Sequence, residues 1–192
     1  MNPAFAADFR RYNNDRNNTG WLHILQIFFQ QPGLQAITVY RLGVAIRKHK
    51  LSPWRRHLAT FVYNLLQAYV QKVYDIILEP SAQIDEGFYI GHFGNIRLAH
   101  CQIGKLCNIG QSTHIIGTPE VPVIIGNFVW IGGHTKIIGC IRIGDSVTVG
   151  AGAHVERDLP ANALCIGRPA RVVRMGYDNR GLLGVDREAP LA

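Results

Sequence analysis

From residue 84 onward an aliphatic residue returns at a spacing of six. Ile84, Ile90 and Ile96 are six apart, and after one extra residue so are Ile103, Ile109 and Ile115. The stretch GTPEVP (117–122) interrupts the series. Ile125, Ile131, Ile137, Ile143, Val149 and Val155 then follow without a slip. Glycine directly follows the aliphatic anchor at Gly91, Gly104, Gly110, Gly126, Gly132, Gly144 and Gly150. Four residues after the anchors of the second array stand Val129, Thr135, Ile141, Val147 and Ala153, all small or β-branched. A helix repeats every 3.6 residues and a strand every two, so neither alone gives this pattern. Short strands joined by tight turns do, wound as a parallel β-helix with three faces per coil. Each anchor then fills an inner corner, and glycine is expected to serve the turn. No coil buries its own core, so several must stack, and this chain supplies about five.

The grammar before the repeat is helical. WLHILQIFFQ carries an apolar face and meets a break at Pro32-Gly33. LQAITVYRLGVAIRKHK resumes at helical spacing and ends in a basic cluster, which suits a helix C-terminus. Ser52-Pro53 reads as an N-cap with proline at the first helical position, opening a long amphipathic helix with a Tyr and Phe stripe. The expected organisation is a polar segment over 1–20, a helical region over 21–79, a β-helix over 80–167, and a C-terminal segment with a loose tail over 168–192. The polar start has no apolar signal-peptide core, and no charge-free apolar run reaches the ~20 residues that span a bilayer. Peripheral attachment through the aromatic-rich helices stays open.

Of 192 residues 47% are hydrophobic, enough for a real core. The excess of Lys and Arg gives a net charge of +7, which favours an anionic partner if it is more than solvated surface charge. Cys101, Cys107, Cys140 and Cys165 form no CxxC pair and sit in the apolar pattern, as small core residues of a protein from a reducing, cytoplasmic compartment. The histidines lack the spacing of a metal site, and none is expected.

The array and its closing segment DLPANALCIGRPARVV (158–173), with its G-x-P-A-R run, resemble the hexapeptide-repeat acyltransferases. GFYIGHFGNI and CNIGQSTHIIGT after a helical region look most like the serine acetyltransferase branch and the related exopolysaccharide acetyltransferases. The resemblance covers about residues 34–175. It implies a mainly β fold, a left-handed parallel β-helix with an N-terminal α-helical region. It also implies a trimer with active sites between β-helices, whose N-terminal helices could pair trimers, and no nucleic-acid partner.

The implied activity is transfer of acetyl from acetyl-CoA to a hydroxyl, of L-serine or of a surface-polysaccharide sugar. His92 matches the catalytic histidine and would be the general base; without the family it reads equally well as a turn residue facing solvent. An orienting acid is expected fifteen residues earlier, where this chain has Ile77; Glu79, with Asp75 as the other neighbour, is the favoured substitute. Gly117, Gly133 and Ala151 match positions lining the coenzyme A groove, the last two eighteen apart and so stacked on consecutive coils. Arg168 and Arg171 are candidates for its phosphates. His114 could reach the acceptor, while His100, His134 and His154 read as outward strand positions.

Two departures bear on the acceptor. Gly91 stands where the serine enzymes keep an acid, and Glu120-Val121-Pro122 replaces an Asp-Arg-His run. A site without those charges discriminates poorly for a zwitterion, which moves weight toward a sugar. The competing readings are a non-catalytic β-helix that serves a biosynthetic enzyme as scaffold and, more remotely, metal-dependent hydratase chemistry.

Overall fold

The computed structural model describes residues 3–13, 20–50, 52–92 and 94–184. Four helices come first: α1 (Pro3–Tyr12), α2 (Trp21–Gln30), α3 (Pro32–Lys48) and α4 (Pro53–Tyr74). Pro32 and Pro53 each open their helix, where the missing N–H costs nothing. The polar segment expected over 1–20 thus holds a helix.

Five coils follow. The first is β1 (Ile76–Leu78), β2 (Gln83–Ile84) and β3 (Tyr89–Ile90), and the second β4 (Ile96–Ala99), β5 (Cys101–Ile103) and β6 (Asn108–Ile109). The third is β7 (His114–Ile116), β8 (Val123–Ile125) and β9 (Trp130–Ile131), and the fourth β10 (Lys136–Ile138), β11 (Arg142–Ile143) and β12 (Thr148–Val149). The fifth is β13 (His154–Val155), a bridge at Leu159, and β14 (Ala163–Gly167). Like strands stack in parallel into three sheets, here A (β1-β4-β7-β10-β13), B (β2-β5-β8-β11) and C (β3-β6-β9-β12-β14). β15 (Ala170–Met175) closes sheet C as an antiparallel edge. The prism's axis is the core: Ile90, Ile109, Ile131, Val149 and Cys165 line one inner column, all buried.

The register corrects two details of the repeat. Ile90 pairs with Ile109 and Leu98 with Ile115, so Leu98 is the anchor of β4. Ile96 instead takes the buried place that Thr113 and Thr135 hold in the next coils. The corner between β3 and β4 is therefore two residues longer than those stacked on it, and His92 stands in the longer part. The second correction concerns glycine. The left-handed residue of each regular corner lies three after the anchor: Leu106, Ser112, Phe128, His134, Ser146 and Gly152 all have positive φ. The glycines directly after the anchors do not. A Cβ on Gly132 would lie 2.5 Å from Ala151 N, and one on Gly144 2.6 Å from Ala161 N. Glycine is needed there because the next coil passes too close.

The helices cap the open edge of the first coil, whose backbone groups would otherwise go unpaired. Ile84 N donates to Tyr40 Oη (3.2 Å), Phe88 N to Asp8 Oδ1 (2.9 Å) and Ile90 N to Tyr12 Oη (2.9 Å). Tyr40 donates in turn to Ala82 O, and Arg41 to Ile84 O and Asp85 O. At the other end the tail is not loose through residue 184. It forms α5 (Arg180–Leu183), with Asn179 and Leu183 buried and Asn179 Nδ2 donating to Phe128 O (2.8 Å). A short polar sequence hides this docking, because the bonds that hold it are made to distant coils. Residues 185–192 lie outside the described residues.

Candidate active site

His92 stands on the extended corner between sheets C and A, exposed and with no hydrogen-bond partner among the described residues. It opens on a groove of about 460 Å³ along that corner. One side is built by a column two residues after the anchors: Gln111, Gly133 and Ala151, on successive coils. Tyr89, Trp130, His134 and, from the docked tail, Leu182 also line it. The column is polar beside His92 and small farther along. A linear arm could lie over Gly133 and Ala151 with its end at the imidazole. Arg168 sits at that far end, its Nε donating to Gly152 O (2.6 Å).

The structure thus brings His92, Gly133, Ala151 and Arg168 along one corner. Arg171 is exposed on β15, in register with Ile166. Gly117 is elsewhere: it follows β7, is buried, and lies on the corner between sheets A and B, where its N–H bonds Ala99 O. Within one chain it does not share the groove. Glu79 also lies on the A/B side. Its N–H bonds Leu98 O at the far end of β4, and its carboxylate accepts from Ser81 Oγ (3.1 Å). The strand Ile76–Leu78 is too short to put Glu79 and Asp75 on one face. Asp75 is the acid on His92's side, a left-handed cap of α4 whose O accepts from Ile96 N (3.0 Å).

His134 is not an outward strand residue. It is the left-handed residue of its corner, lines the groove, and lies 3.4 Å from Gln111 Nε2. Its place three after an anchor is the signal that finds it. His100 likewise turns a corner, at φ 45°. His154 does face outward, as does His114, whose Nε2 is 2.9 Å from Asn95 Oδ1 of the His92 corner. Arg97, His114, Lys136 and His154 pair in sequence across β4, β7, β10 and β13, a basic column on the outer face of sheet A. Among the described residues no cluster of His, Cys, Asp and Glu could hold a metal. Three cysteines are core residues; Cys140 is exposed, on the bend after β10. Burial pushes the Cys101 and Cys107 thiols up to about 12, so both stay protonated at neutral pH.

These coils and this corner define a β-helix built on a six-residue repeat, with an open groove along one corner. Within that class the chain is similar in sequence and fold to the serine acetyltransferases. It is 29% identical over 180 residues to a serine acetyltransferase of Synechococcus elongatus, across 90% of this chain and 69% of that one. It is 27% identical to that of Helicobacter pylori, across 77% and 85%. The structure of soybean serine acetyltransferase complexed with serine superposes with a TM-score of 0.69 at 27% identity, over 88% of this chain and 68% of that one. No protein-family model matches.

Proposed function

We propose that this protein is an acetyl-CoA-dependent O-acetyltransferase in which His92 is the general base. The observation that carries the reading is the shared corner: an unpartnered imidazole at one end of a groove whose far part is Gly133 and Ala151. The acceptor hydroxyl attacks the thioester carbonyl as His92 takes its proton; the C–S bond breaks and coenzyme A leaves as the thiol. An imidazole suits proton removal near neutral pH. Gly133 and Ala151 admit the pantetheine arm, and Arg168 and Arg171 supply positive charge for its phosphates. The groove is open along one side in a single chain, which a second β-helix would close; this supports a trimer with sites between subunits. Four free cysteines suit a reducing cytoplasm.

Serine acetyltransferases are among the relatives and cover most of the chain, so L-serine is the first acceptor to test. A sugar hydroxyl is the second reading. Gly91 supplies no charge for an ammonium group, and the column Arg97-His114-Lys136 beside the corner favours an acceptor with negative charge.

Thiol release from acetyl-CoA, followed with serine and then with neutral and acidic sugars, tests the reading. Acceptor-dependent release is expected, and His92→Ala lowers it by about 10²–10⁴-fold. No release with any acceptor, together with no coenzyme A binding by calorimetry, returns the protein to the scaffold reading.

A further inference from the structure

The helical region carries the chain's whole charge excess. Residues 20–74 contain seven Lys and Arg and no Asp or Glu, and the rest of the chain carries equal numbers of each sign. Arg41 is spent on buried Asp8, but Arg47, Lys48, Lys50, Arg55, Arg56 and Lys72 are exposed, five of them around the turn between α3 and α4.

The same helices expose an apolar face. Only Val70 of α4 is buried, and only Ile27 of α2. Tyr63, Gln67, Val70 and Tyr74 form the better-covered side of α4, and Tyr63 packs at Gly43 of α3. Trp54, Leu58, Phe61 and Leu65, spaced by four and three, fall on the opposite side; Trp54 is 64% exposed and Phe61 67%. α2 continues the surface: Phe28 and Phe29 share an apolar groove of about 350 Å³ with Leu66 and Tyr69 of α4. No helix among the described residues is long and apolar enough to cross a membrane.

We propose that α2 and α4 lie on an anionic lipid surface, with the Trp54-Phe61-Leu65 face in the headgroup boundary and the α3–α4 turn on the negative headgroups. A helix with a broad apolar face, aromatic residues and cations but no acids has the chemistry of an interfacial helix. Charge decides against a second copy as the occupant. The same face of another chain brings the same cations and no carboxylate to meet them, whereas anionic headgroups complement all five cations at once.

The test floats full-length protein with vesicles of phosphatidylcholine alone and with about 30% phosphatidylglycerol. Flotation with the anionic vesicles alone, reversed by about 0.5 M salt, is expected. Arg55→Glu with Arg56→Glu, and separately Phe61→Asp with Leu65→Asp, should each weaken partition at least about tenfold while thiol-release activity in solution is kept. No flotation with anionic vesicles overturns the proposal, as does equal flotation with neutral ones. So does a protein that never floats and whose assembly, by sedimentation velocity, shrinks in the Phe61→Asp, Leu65→Asp variant; a second copy then covers the face.

Discussion

Arg41 Nε lies 2.8 Å from Asp8 Oδ2, inside the seam where α1 and α3 close the first coil. Both charges are buried, and each also serves the backbone: Asp8 accepts from Phe88 N, and Arg41 donates to Ile84 O and Asp85 O. Removing one partner leaves the other charge uncompensated. Arg41→Leu should cost about 3–5 kcal/mol in urea unfolding, and Asp8→Ala with Arg41→Leu less than the two singles together. The pH dependence has a definite sign. Burial raises the Asp8 pKa above its ordinary 3.8, outweighing Arg41, so the folded state binds more protons than the unfolded one. This group's contribution to stability therefore falls as pH rises from its ordinary 3.8 through the raised folded-state value. Losing Arg41 raises the carboxyl further, so the penalty of Arg41→Leu should shrink as pH is lowered toward 4.

Gly132 and His134 show that glycine and left-handed geometry separate in these corners. A Cβ on Gly132 meets the backbone of the next coil at 2.5 Å, so Gly132→Ala should destabilise by about 1–3 kcal/mol. His134 holds φ 60°, a conformation that glycine adopts freely, so His134→Gly should leave stability within about 1 kcal/mol of wild type. Thermal unfolding of the two variants reads the difference, and the opposite order would return the turn to the glycines.

The same corners show what the sequence makes legible. Buried anchors must recur in register, so the period of six reveals the coils, the break at 117–122 and the column of Gly133 over Ala151. It misplaces the anchor of β4. Ile96 keeps the period, but the longer corner that carries His92 passes the stacking role to Leu98, and an apolar residue at either position looks alike. Asp8, Tyr12 and Tyr40 capping the first coil leave no periodic trace, because each acts once and across about forty residues or more. His92 is found by its glycine-flanked motif. His134 and Asp75 reach its corner only through coil stacking, which spacing describes less directly.

Asp75 and Glu79 offer a choice that kinetics can decide. If a carboxylate orients His92, Asp75 stands on the correct corner and Glu79 does not. Asp75→Asn should lower kcat by about tenfold or more and shift the pH–rate profile, while Glu79→Gln stays within about twofold. The reverse ranking would place the orienting group on the A/B corner, reachable only from another subunit.

Ala151 is exposed and lines the groove one coil beyond Gly133. On the proposed function, an indole there would block the path of the pantetheine arm from an exposed position outside the core. Ala151→Trp should therefore keep the melting temperature, raise KM for acetyl-CoA by tenfold or more, and change kcat less. Loss of coenzyme A binding by calorimetry must accompany the change in KM. A variant that binds coenzyme A as wild type does would remove the donor from this corner, and the A/B corner with Gly117 would then be the place to look.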